Sequence, residues 1–362
     1  MPHLPGYSES SSFEGDVSNK ARWDARTHSA VFFLCLTLAG CAFSRAGVTQ
    51  TVPSVELDSL LIRIAAVTAE GAAHTAGVWP GYGVPTEYIM CRPEGQTLAV
   101  LESSPPAEFG TPLGILPSKG RKANSYFFSQ PLPELGFVCF HLEYPVGARQ
   151  VVAVPVLESV YSVADPLIAS VVILYHEDFH AFQGRYFAPT SGGDDYHPHE
   201  EPKLPLEIIR SAEFQRLAAV ERALLRDALA ITDSASLLPL LRTYLTARGE
   251  RMQLLPSQLR SAEPHNERKE GSANLVGYQA AYLATRGSAE QVAELVRADL
   301  LATPVFDGED YMSNGYRQWH IYATGAAIGL LLDRMHIPWR EKMQSGSTFE
   351  GLLRDAVPLV HP

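Results

Sequence analysis

The run Asp165-Pro166-Leu167-Ile168-Ala169-Ser170-Val171-Val172-Ile173-Leu174-Tyr175-His176-Glu177-Asp178-Phe179-His180-Ala181-Phe182-Gln183-Gly184 carries more structural instruction than any other part of the 362-residue chain. Asp at a cap position with Pro behind it starts a helix, and Gly184 stands where such a helix is expected to stop. The apolar residues Ile168 to Leu174 make that helix a core element. His176 and His180 stand one turn apart on one face, with Glu177 beside the first. Both imidazoles can therefore meet one tetrahedral zinc ion, while Glu177 reaches a water on that ion. Zinc makes the water more acidic, and Glu177 takes its proton as it attacks a carbonyl. Chance placement of this HExxH pattern in a chain of this composition comes to about two in a hundred. Two ordinary histidines on a buried helix are the plainer reading. A carboxylate and two imidazoles in so apolar a helix need partners, however, and a metal supplies one.

Catalytic zinc usually takes three protein ligands and leaves a fourth position to water. The best third ligand is Glu270, in Glu267-Arg268-Lys269-Glu270-Gly271-Ser272-Ala273-Asn274. The small residues Gly271, Ser272 and Ala273 allow close approach to the first helix. Asn274, one turn on, can accept the outer N–H of a ligand histidine. Glu267, Glu250 and His265 are rivals for the third position, and a surface acid paired with Lys or Arg is the plain reading of Glu270. An oxyanion donor is sought among Tyr322, Tyr316 and His320. Tyr322 is preferred because the small residues Thr324 to Gly329 pack tightly near a site, although a tyrosine anchoring a helix explains any one of these equally. Arg317 suits a substrate carboxylate or a helix end.

His176, Glu177, His180 and Glu270 together resemble the gluzincin metallopeptidases, whose zinc is held by the two histidines of HExxH and a glutamate on a later helix. The chain is similar also to uncharacterised exported bacterial proteins with an HExxHxxQ helix followed by a Glu-Gly-x-Ala helix. The resemblance implies a zincin-like helical fold, one Zn2+, Glu177 as general base and a peptide or protein substrate. Two departures stand out: Asn274 replaces the Asp frequent four residues after the ligand glutamate, and the gap from His180 to Glu270 is long.

Helical spacing continues over 206–229, 236–252, 267–284, 288–301 and 319–335. The polar loop around His197 and His199 reads as a solvated connection. Upstream, 52–162 is rich in Gly, Pro and β-branched residues in short runs, which predicts strands. Trp79-Pro80-Gly81-Tyr82-Gly83 predicts a structural corner. The expected class is α+β: residues 52–162 form a β-rich domain and 163–362 a helical zincin-like metallohydrolase domain, with room for one substantial core and more readily two.

Residues 30–43 are apolar and follow Lys20, Arg22 and Arg26, the layout of a secretory signal, too short for a permanent spanning helix. Leu38-Ala39-Gly40-Cys41 resembles the bacterial lipobox, which implies a signal peptide of 1–40, a diacylated Cys41, a short linker of 41–51 and a membrane anchor. An ordinary secretory signal is the alternative, and both export the protein. Ala42, which is not the Asp of inner-membrane retention, favours an outer membrane where the organism has one. The polar first sixteen residues suggest initiation at Val17. With Cys35 removed in the leader and Cys41 acylated, Cys91 and Cys139 remain, in strand-like segments of a protein in an oxidising compartment, either paired or as two buried thiols. The formal charge is -11, and -10 without the leader, which excludes nucleic acid as a partner. The expected function is a membrane-anchored zinc hydrolase, a metallopeptidase first. The alternatives are a non-catalytic zincin-like binding or scaffolding lipoprotein, against which the intact Glu177 argues, and zinc-dependent hydrolysis of something other than a peptide.

Overall fold

The computed structural model describes residues 56–92, 95–117, 122–130, 132, 135, 139–190, 205–302 and 320–357. The leader, Cys41, the 41–51 linker, His197, His199, Tyr316 and Arg317 lie outside them. The class is α+β, with a six-stranded mixed sheet ahead of a helical part.

The first element among the described residues is a helix, α1 (Ser59–Gly71), where strands were expected. Asp58 caps it by accepting from the backbone N–H of Leu60 and Leu61, and its apolar residues Leu61, Ile64 and Ala65 are buried. The strands are β1 (Tyr88–Cys91), β2 (Thr97–Leu101), β3 (Gly114–Pro117), β4 (Asn124–Phe128), β5 (His141–Val146) and β6 (Arg149–Pro155), in the order β3-β4-β2-β1-β6-β5. Only β1 and β6 pair in parallel. Successive side chains alternate between two buried faces, as a pleated strand requires. Tyr88, Met90, Leu98, Val100, Phe127, Val152 and Val154 face the helices. Ile89, Cys91, Ala99, Leu101, Phe128, Val151 and Ala153 face a second, smaller cluster. Cys91 and Cys139 form a disulfide across that second cluster. Cys139 is not in a strand: its φ is +51°, and β5 begins only at His141.

The helical part runs α2 (Pro166–Tyr186), α3 (Leu206–Ile209), α4 (Ala212–Ala230), α5 (Ser234–Leu254), α6 (Ser257–Asn266), a π turn (Glu267–Gly271), α7 (Ser272–Ala284), α8 (Ala289–Leu301), α9 (Tyr322–Arg334), α10 (Arg340–Gln344) and α11 (Phe349–Ala356). Asp165 caps α2 as the sequence predicts, but the helix passes through Gly184 to Tyr186. Its end is fixed by tertiary contacts: Phe187 stacks on Trp79 at 5.7 Å, and Arg268 donates to the carbonyl of Ala188 at 2.8 Å. The Trp79 corner packs on the back of α2, with Trp79 edge-on to Phe179 at 5.0 Å and to Trp339 at 5.0 Å. The largest core cluster runs from α1 through one face of the sheet to most of the helices between α2 and α11, and a third, smaller cluster joins α3, α4, α5 and α6.

Candidate metal centre

Helix α2 is held between β6 on one side and α7 on the other. Gly277 is what brings α7 so near: a carbon added there would lie 2.9 Å from the carbonyl oxygen of Val172. The close approach therefore falls at Gly277, two turns past the Gly271 where the sequence placed it. Gly271 instead meets Gly325 of α9, where an added carbon would lie 2.6 Å from the Gly325 Cα. Ser272 does face α2, through Gln183.

These contacts bring three donors together. His180 Nε2 lies 3.0 Å from His176 Nε2 and 3.1 Å from Glu270 Oε2, and His176 Nε2 lies 3.5 Å from the same oxygen. His176 and Glu270 are 1% and 2% exposed. The circle through the three atoms has a radius of about 1.9 Å, so a point 2.0–2.2 Å from each, the zinc–ligand distance, lies just off their plane. Lone pairs aimed at one another repel unless a proton or a cation stands among them. Two imidazoles and a carboxylate suit a first-row transition ion better than calcium or magnesium. The residues fit the metal expected of them, and among the described residues they are the only His/Cys/Asp/Glu group of this kind.

Glu270 sits in the π turn that joins α6 to α7, a helix irregularity that concentrates at functional sites. Its other oxygen, Oε1, lies 3.5 Å from Lys269 Nζ. The rivals are engaged elsewhere. Glu267 takes two bonds from Arg248 at 3.0 Å each and one from Thr324 at 2.6 Å. Glu250 is exposed. His265 pairs with Thr190, and burial, with repulsion from Lys269 and Arg268, pushes it down to about 4.

Glu177 is buried at 7% exposure and follows His176 on the same turn. Asp178 turns to the opposite side and accepts from Tyr82 at 2.9 Å, and burial pushes its carboxyl up to about 7. Tyr322 opens α9 and stacks on the His176 ring at 5.6 Å and 26°. His320, its rival, lies 3.6 Å from Glu221 instead, where burial holds it below the usual imidazole range. Asn274 is buried, but it does not receive a ligand histidine: His176 Nδ1, a ring nitrogen it was expected to accept from, has no hydrogen-bond partner. The residue that does bind a ligand histidine is Gln183, which the sequence reading left without a role, although it lies one turn from His180. Tyr161 was also missed. It packs against Tyr322 at 5.8 Å and Tyr278 at 6.4 Å, and its φ of +51° is uncommon for an aromatic residue.

Comparison with protein-family models, with characterised proteins and with solved structures returns no match. Any statement of class rests on the centre's own geometry.

Proposed function

We propose that the protein is a zinc-dependent hydrolase, with a peptide carbonyl as the first substrate to test. The observation that carries this reading is the convergence of His176 Nε2, His180 Nε2 and Glu270 Oε2, with the buried Glu177 next to His176 in the ligand helix. A zinc ion held by those three would supply Lewis acidity at neutral pH. His176, His180 and Glu270 would hold it. Glu177 takes the proton of an attacking water and returns it to the leaving amine. Tyr322, against the His176 ring, donates to the oxygen that gains charge as the carbonyl is attacked.

Export and lipid anchoring belong to the same reading. They are supported by the leader sequence and by the Cys91–Cys139 disulfide, a bond that persists chiefly in oxidising compartments. No helix among the described residues is long and apolar enough to cross a membrane.

The test is metal content followed by turnover. Purified protein is expected to hold about one zinc per chain, and His176→Ala or His180→Ala to lose it. Glu177→Gln is expected to keep the metal and lose most cleavage of a peptide panel, assayed with and without chelator. Metal-free protein prepared without chelator would overturn the proposal. Bound zinc with no cleavage of any peptide would transfer it to a non-peptide substrate or to a binding role.

A further inference from the structure

We infer that Gln183 is a positioning residue that sets two of the three metal donors at once; the inference rests on the metal centre proposed above. It is 6% exposed, so its amide has no water to turn to. Its nitrogen lies 2.8 Å from the Lys269 carbonyl oxygen and 2.8 Å from Ser272 Oγ. A carbonyl only accepts. Ser272 has spent its own proton on backbone carbonyls, that of Arg268 at 2.6 Å foremost, so toward Gln183 it too can only accept. Both amide protons are thereby committed to the segment that carries Glu270.

That commitment fixes the other end. The amide oxygen lies 2.7 Å from His180 Nδ1 and has no proton to offer, so Nδ1 must carry the hydrogen. A neutral imidazole with its proton on Nδ1 has a bare lone pair on Nε2, the atom 3.1 Å from Glu270 Oε2. The ring is thus held in the one neutral tautomer that can bind a metal through the atom facing Glu270. The tether from the same side chain holds the Glu270 turn against α2. An amide does this without titrating and without adding a charge, so Gln183 offers His180 the same acceptor whatever the pH. A carboxylate in its place could still accept from His180 but could not donate to Lys269 or Ser272.

The experiment is histidine 15N NMR of the full metal-free chain, with His180 assigned by comparison with His180→Gln, together with zinc affinity by chelator competition. In the wild type, His180 is expected to show a protonated Nδ1 and an unprotonated Nε2. Gln183→Met keeps the length and removes every bond. It is expected to lose that single tautomer and to bind zinc roughly 10–100-fold more weakly. Gln183→Glu is expected to keep the tautomer while weakening zinc. A wild-type His180 that carries its proton on Nε2 with none on Nδ1 would overturn the inference, even if Gln183→Met fails to fold. An unchanged tautomer and unchanged zinc affinity in a folded Gln183→Met would do the same. A wild-type chain with the expected tautomer but no affinity for zinc would instead overturn the metal centre, and the positioning role with it.

Discussion

Replacing Gly277 by alanine tests whether the ligands are held by the distance between two helices. In an open helix interior this exchange stabilises by about 1 kcal/mol. Gly249 of α5 supplies that baseline, since a carbon added there meets nothing within 4 Å. At Gly277 the same carbon meets the Val172 carbonyl oxygen at 2.9 Å and His176 Cβ at 3.4 Å. Carbon–oxygen contacts relax at roughly 3.3 Å, so α7 must retreat from α2 by about 0.4 Å. Overpacking of this kind costs about 1–3 kcal/mol, which cancels or exceeds the propensity gain. Gly277→Ala is therefore expected to be neutral to about 2 kcal/mol destabilising where Gly249→Ala is stabilising. The retreat also carries Glu270 away from His176 and His180, so zinc affinity should fall in Gly277→Ala and stay level in Gly249→Ala. Urea denaturation of both variants, with chelator competition, reads the two effects. Equal stabilisation by the two exchanges, with zinc affinity unchanged, would refute the reasoning.

Arg251 donates to Glu221 and Glu263, all three being at most 1% exposed, so Arg251→Met strands two buried carboxylates and is expected to cost about 3–5 kcal/mol in chemical denaturation; a loss under about 1 kcal/mol contradicts it. Burial pushes the Asp299 carboxyl up to about 6 against an unfolded value near 3.9, so the native state holds the proton more tightly. That contribution is complete below about pH 4 and is lost as pH rises to about 6, by roughly 3 kcal/mol. Asp299→Asn should flatten this fall, and an unaltered pH profile would remove Asp299 as its source. The disulfide closes a separation of 48 residues, so replacing Cys91 and Cys139 together by alanine is expected to lower stability by up to about 4 kcal/mol, seen as an earlier urea midpoint. An unmoved midpoint counts against it.

Helix α2 was legible in the sequence because its instructions are local: a cap, a proline and two histidines at helical spacing. Glu270 was legible only as chemistry, an acid among small residues, because its reach depends on a π turn and on Gly277, and neither has a pattern of its own. Glu267, a rival for the metal in the sequence, is buried with Arg248 and Arg251 in an ion-pair network that has no pattern along the chain, since pairing that cancels burial is set by which helices meet. Helix α1 did carry a signal, Asp58 before Leu60, Leu61 and Ile64, and was submerged in the β-branched texture around it. Strand β3 holds Gly114 and Pro117 and β5 holds Pro145, which weakens their local signal, and β4 pairs with β2 over the intervening β3 segment, a choice no local pattern announces.

The shared core between sheet and helices limits how this architecture can be divided or reused. A gene fragment encoding only 163–362 would carry into solution the apolar flank of α2 that β6, with Val152 and Val154, now covers. Such a fragment would expose an adhesive surface rather than form a portable module, so transplanting the chemistry elsewhere means transplanting the strands as well.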